Sequence, residues 1–223
     1  MTVSPPSGFD VNNPLPFIGI AVRLGVNARG VAADRTLMLL GNKVETDLTA
    51  TVSAVDYVTT AGTQAAATPV LVPSAEDADT LFGQGSELAL MCRAVFAQKR
   101  GAYVWATVVA QDGSAVKATA VMLFANSATS AGAVRVTIAG RLCIEVAVAS
   151  GDTASTIATA VAVAINQTPN LPVNATVSTA TVTLTAKCGG TRGNAIVIGV
   201  EITAGATTCG LSGATAGQKV TDR

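Results

Sequence analysis

The sequence predicts an α/β core portion of βαβ-like order, followed by an inserted α+β domain built on an antiparallel sheet. Three observations carry that expectation. Apolar runs at residues 36–40 and 103–109 bracket two stretches of helical spacing. The composition shifts at Gln111-Asp-Gly-Ser114, and period-two alternation dominates beyond it. Hydrophobic residues make up 49% of the chain but aromatics only 4%, so alanine, valine and threonine carry the bulk. The β-branched residues among these suit a pleated sheet and alanine suits close-packed helices.

Residues 1–16 are rich in Pro, Asn and Ser and read as an extended arm. Ile18, Ile20, Val22 and Leu24 then alternate with small or polar residues, a strand pattern that includes Phe17 and has no partner within hairpin range. Such a strand leaves backbone groups open to another chain, or forms an ordinary edge in its own domain. Thr36 to Leu40 is a continuous apolar run ending at Gly41, as in a buried strand of an α/β sheet. Residues 42–69 show no clear period. Val70 to Val72 reads as a short strand. Ser74 is placed to cap a helix, with Asp77 three residues on and Ala78, Leu81 and Phe82 on one face. Gly83-Gln-Gly-Ser86 interrupts the helical pattern. A second helix follows, with Leu88, Cys92, Val95 and Phe96 on its stripe, and Tyr103 to Val109 forms the next strand.

In the second unit, Ala118 to Phe124 reads as a strand. Val134, Val136 and Ile138 alternate, Ala139-Gly140 makes a tight connection, and Leu142, Ile144, Val146 and Val148 return as a hairpin. Asp152 or Thr153 caps a helix with Ile157, Val161, Ala164 and Ile165 on its stripe, ended by Pro169 and Pro172. Val182, Leu184 and Ala186 face inward on a strand with Thr181, Thr183 and Thr185 outside, and Ile196 to Ile202 forms a last strand. The expected divisions are an arm over 1–30, the α/β portion over 31–113, the inserted domain over 114–204 and a tail over 205–223 without a core element.

Several function classes lose their footing. Histidine is absent, which removes the commonest general base and zinc ligand. Lys+Arg and Asp+Glu are 14 each, so there is no basic field for nucleic acid. Zero net charge and 13% charged residues favour association. No apolar run is long enough to span a bilayer, and residues 1–20 lack the pattern of a signal peptide. Gly83-Gln-Gly-Ser86 lacks the preceding strand and third glycine of a dinucleotide fingerprint and the lysine of a P-loop, and reads as a cap between two helices. Glu76, Asp77 and Asp79 fall in the first turns of a helix, where they complement its dipole as a solvated face. No catalytic, cofactor or metal residue is expected, and the chain reads as a non-enzyme. Cys92 belongs to a buried stripe. Cys143 falls on the polar face of its strand and Cys188 and Cys209 lie beside glycines, so these three are candidates for a disulfide on a particle exposed to oxygen.

A set of segments in fixed order resembles the N-terminal part of Mu-like bacteriophage contractile tail sheath proteins. They are Arg35-Thr-Leu-Met-Leu-Leu-Gly41, Leu81-Phe-Gly-Gln-Gly-Ser-Glu-Leu-Ala89, Val104-Trp105, Ile138-Ala-Gly-Arg141, Val146-Ala-Val-Ala-Ser-Gly-Asp-Thr-Ala154, Leu171-Pro-Val173, and Val182-Thr-Leu-Thr-Ala-Lys187 with Gly193-Asn194. The similarity covers most of residues 15–200. It implies a sheath subunit of the virion tail, assembled in the bacterial host cytoplasm, that polymerises in rings around the tail tube and contracts to drive it through the host envelope. It also implies linkage to other sheath subunits by exchanged arms, contact with the tube protein and baseplate, and no nucleic acid or membrane insertion. The unpaired strand at Phe17, Ile18, Ile20, Val22 and Leu24 is then the expected inter-subunit strand. Family members usually continue well past residue 223, so the expectation is a fragment or a sheath divided between two polypeptides. The competing readings are a virion decoration protein, a sheath of a tailocin or type VI secretion system, and a nucleotide-binding α/β enzyme that would need the Gly83–Ser86 loop to hold phosphate.

Overall fold

The computed structural model describes residues 36–98, 103–168 and 170–213. Strand β1 (Thr36–Gly41) carries the first apolar run. It lies parallel to β5 (Tyr103–Val108), with Met38 opposite Trp105. Strand β4 (Pro69–Val72) adds on the other side of β5, antiparallel, in the order β1-β5-β4. Between β4 and β5 come α1 (Ala75–Phe82) and α2 (Glu87–Gln98). Helix α1 begins at Ser74, whose Oγ accepts from the Asp77 N–H at 3.1 Å, which satisfies one of the donors a helix start leaves open. Ala78, Phe82, Leu88, Ala89 and Cys92 are buried against Leu39, Val72, Val104, Ala106 and Val108, so the helices cover one face of this three-stranded sheet.

Residues 42–69, patternless in sequence, contain a hairpin. Strands β2 (Leu48–Val52) and β3 (Val55–Thr59) pair antiparallel around Ser53 and Ala54, both in the left-handed region at φ 51° and 61°. That turn hand matches the twist of the flanking strands but normally selects Asn-Gly, which is why the sequence does not announce it. Val52 is buried in the core of the second unit, so the hairpin reaches across to it.

The second unit is two antiparallel sheets and a helix. One sheet has the order β12-β6-β10-β9, formed by β6 (Lys117–Ala125), β9 (Val173–Ser178), β10 (Thr181–Gly189) and β12 (Thr208–Gly213). The other has the order β11-β7-β8, formed by β7 (Gly132–Ile138), β8 (Arg141–Val148) and β11 (Ile198–Ile202). The β7–β8 hairpin turns at Ala139-Gly140, with Ile138 opposite Arg141 as the alternation predicts; both turn residues have positive φ, which glycine adopts freely at the second position. Helix α3 (Ala154–Asn166) is capped by Thr153, whose Oγ1 accepts from the Thr156 N–H at 3.2 Å. Ile157, Val161 and Ile165 pack it onto Met122, Phe124, Val136, Val182 and Leu184.

The chain is thus mixed α/β, with several antiparallel strand pairs and, among the described residues, three α-helices. Two boundaries move. The final strand of the predicted domain starts at Ile198 rather than Ile196. The tail expected to lack a core element supplies β12, which pairs with β6 from Thr208↔Ala125 to Gly213↔Ala120 and packs Cys209 and Leu211 onto the core. Its Gly, Ser and Thr content hides it from a propensity reading, and the pairing with β6 outweighs that weak local preference.

Candidate functional site

The chain joins its two units along a polar seam, and the glycine-bearing turn singled out in the sequence lies there. Helix α1 ends at Gly83, whose N–H donates to Asp79 O at 2.8 Å. Gly85 follows at φ 75°, and a Cβ built on it would lie 2.1 Å from Leu171 O of the second unit, so both conformation and space require glycine. Ser86 is fully buried; its N–H donates to Gly83 O and its Oγ accepts from Ala89 N at 3.1 Å. The Gly83 and Ser86 N–H groups are spent on neighbouring backbone carbonyls and Leu171 packs against Gly85, so the turn caps α1 and leads into α2.

From the second unit, Lys187 reaches the same turn. Its side chain is 3% exposed and its Nζ donates to Gln84 O at 3.2 Å. Burial pushes the lysine down to about 8, opposed by the nearby charges of Cys188 and Asp79. Asp79 is itself held by Arg93, whose Nε donates at 3.1 Å and whose Nη2 makes a second contact. The carboxylate expected on a solvated face therefore belongs to a bidentate ion pair between α1 and α2, while Asp77 serves the cap with Ser74 at 2.7 Å.

Further along the seam, Arg192, in a short 3-10 turn over Thr191–Ala195, pairs with Glu87 at the start of α2. The other Glu87 oxygen accepts from Asn42 N at 3.2 Å. The Cys188 thiol donates to Lys43 O at 3.5 Å, and Gly189 N donates to Gln111 Oε1 at 3.2 Å. These groups fasten and orient two bodies; they form no nucleophile–base pair. Among the described residues no three Cys, Asp or Glu side chains converge on a metal position. Two shallow depressions, of about 210 and 280 Å³, lie apart from this turn, the first between Asp47–Ala50 of the first unit and Lys117 and Asn174 of the second, the other on the second unit beside Val116 and Gly190.

The sequence-predicted residues fare unevenly. Phe17, Ile18, Ile20, Val22 and Leu24 lie outside the described residues. Cys92 is buried, and burial pushes its thiol up to about 12, in keeping with an inert stripe position. Cys188 does not sit in an exposed loop: it is the penultimate residue of β10, half-buried, and burial raises its thiol above the usual range. Cys209 sits half-buried in β12. Both are free thiols in the chain. Cys143 lies in β8 where its register with β7 shifts, and its side chain is outside the described ones. Sequence reasoning missed Lys187, Arg192 and Glu87. Lys187 follows Thr181, Thr183 and Thr185 in the alternation that faces solvent, but the register with β6 shifts between Thr185 and Gly189 and the first unit closes over it.

No family model matches the chain. Over 183 residues it is 33% identical to the Mu-like prophage FluMu tail sheath protein of Haemophilus influenzae. That stretch is 82% of this chain and 34% of the relative, so the chain spans about a third of the relative's length.

Proposed function

We propose, from the premise that this chain is homologous to part of a Mu-like phage tail sheath protein, that it is a structural subunit of a contractile tail sheath and not an enzyme. The observation that carries the reading is the 33% identity across 183 residues, 82% of the chain. In this reading the chain resides in the virion tail, associates with other sheath subunits around the tail tube, and takes part in the contraction that drives the tube through the host envelope. A filled seam that fixes the orientation of two units suits a part that transmits force. Purifying contractile tails away from capsids tests it: the chain is expected to follow the tails through the separation, and recovery with the capsid shells alone would refute it.

The segment from Phe17 to Leu24 adds as a strand to a neighbouring subunit in this account, because main-chain pairing to an open edge gives affinity without a preformed pocket. Deleting residues 1–24 is expected to leave a folded chain that no longer polymerises. Assembly of the truncated chain into sheaths would remove this element of the proposal. In the same reading the second unit, whose core also takes in Val52 of the β2–β3 hairpin, lies toward the outside of the particle.

A further inference from the structure

The depression of about 210 Å³ lies where the two units meet, and the sheath reading makes no use of it. Asn174 and Thr185 stand opposite each other on β9 and β10, on the face of the four-stranded sheet turned away from the core, and Thr176 follows two residues along β9. Lys117 lines the depression from the start of β6, and the first unit contributes Asp47 and the beginning of β2. Clefts between units are favoured places for small-ligand sites. The polar groups gathered here are only partly used. Asp47 Oδ1 accepts from the Ala61 N–H at 2.7 Å, which leaves Oδ2 open. Asn174 Oδ1 accepts from Thr59 Oγ1 at 3.4 Å, which leaves both hydrogens of its Nδ2 open. The Thr176 and Thr185 hydroxyls and the Lys117 ammonium meet no protein partner among the described residues. Lys117, Asn174 and Thr185 are half-buried, so they have given up part of their water without a replacement.

These groups narrow the ligand. An apolar molecule would strand the donors and acceptors. A simple anion would meet Asp47 as well as Lys117, and a simple cation would meet the reverse. The two charges cancel, so the complement is a neutral molecule that donates and accepts at several adjacent atoms. The space falls below the roughly 300 Å³ at which pockets for drug-sized ligands begin, so it admits one small ring. Leu48, Ala50 and Ala186 add an apolar strip suited to the C–H face of such a ring. We propose that this depression binds one neutral pyranose unit of a saccharide, with Asp47, Lys117, Asn174 and Thr185 as hydrogen-bonding partners of its hydroxyls. The site is a property of this chain and does not depend on the sheath reading. A single ring has few atoms and binds weakly, and a polymer of the chain would gain avidity by repeating the site.

Titration of the full chain, followed through its backbone amide resonances, tests this. The probes are the methyl glycosides of glucose, galactose, mannose, rhamnose and N-acetylglucosamine, with acetate, inorganic phosphate and glycine run beside them. At least one glycoside is expected to shift the amides of Asp47, Lys117, Asn174 and Thr185 in a saturable way. Thr185→Val keeps a β-branched side chain of similar shape on the strand and removes the hydroxyl, so the fold is expected to persist while the affinity falls several-fold. Asn174→Ala is expected to weaken binding at least as much, and the Thr185 variant carries the test if the loss of the Thr59 contact disturbs the fold. Shifts at these residues with acetate, phosphate or glycine but with none of the glycosides would overturn the saccharide assignment. Shifts that spread over the surface, that persist unchanged in Thr185→Val, or that appear with no probe would overturn the site.

Discussion

Lys187 concentrates the electrostatics of the seam. A buried ammonium costs stability, and natural chains keep such groups where they fix one arrangement over others. The sign of its pH dependence follows from linkage. Its folded-state value of about 8 lies below the 10.5 of the free side chain, so between those values the unfolded chain holds more protons and stability rises with pH. Below about 8 the cost of burial is present in full. Lys187→Met removes the titration while also leaving Gln84 O without its donor. The stability of the variant relative to the parent is therefore expected to fall by roughly 2–3 kcal/mol between about pH 7 and pH 10, whatever its value at neutrality. Urea unfolding of both proteins at the two pH values measures it, and a constant difference would show that Lys187 is solvated. Nothing in the sequence flags this residue, because its burial comes from a register shift in β10 and from a turn about a hundred positions earlier in the chain.

Among the elements, strongly periodic segments were legible and irregular ones were not. The β7–β8 hairpin could be read residue by residue because Val134, Val136 and Ile138 alternate and Ala139-Gly140 supplies a turn. Helix α3 was legible from its cap and its stripe. The β2–β3 hairpin was not, because Ser53 and Ala54 hold a conformation that favours glycine and asparagine. Its register is enforced by tertiary contacts instead: Val52 enters the second core, and Thr59 Oγ1 donates to Asn174 Oδ1 at 3.4 Å. A residue with a Cβ strained at positive φ leaves room for improvement, so Ala54→Gly is expected to stabilise the chain by roughly 0.5–1 kcal/mol, the entropy of the unfolded glycine taking back part of the relief. Chemical denaturation gives the number, and a loss of stability would mean that the turn is unstrained.

For the whole molecule, the mixed α/β character and the antiparallel strand pairing were legible, while the closing strand was not. Residues 205–213 looked like tail because glycine, serine and threonine carry little strand preference, yet β12 covers the β6 edge of the four-stranded sheet. A fragment spanning 114–213 is expected to unfold cooperatively. One spanning 114–204 is expected to lose several kcal/mol or to fail to fold, since it leaves the β6 edge unpaired and uncovers the core under Cys209 and Leu211. Calorimetry of the two fragments separates these outcomes, and equal stability would demote β12 to an ornament.

The candidate site was legible only in outline. The turn at Gly83–Ser86 stood out and its role as a cap followed from its residues. Its contact with Leu171 and Lys187 depends on how two units meet, which no local pattern encodes. The central claim is that this chain is sheath. Immunogold labelling of intact particles with an antibody against residues 114–213 tests it most directly. The account predicts gold along the whole tail between baseplate and head, over a shorter and wider zone after contraction. Label confined to the head, or absent from tails in both states, would contradict it.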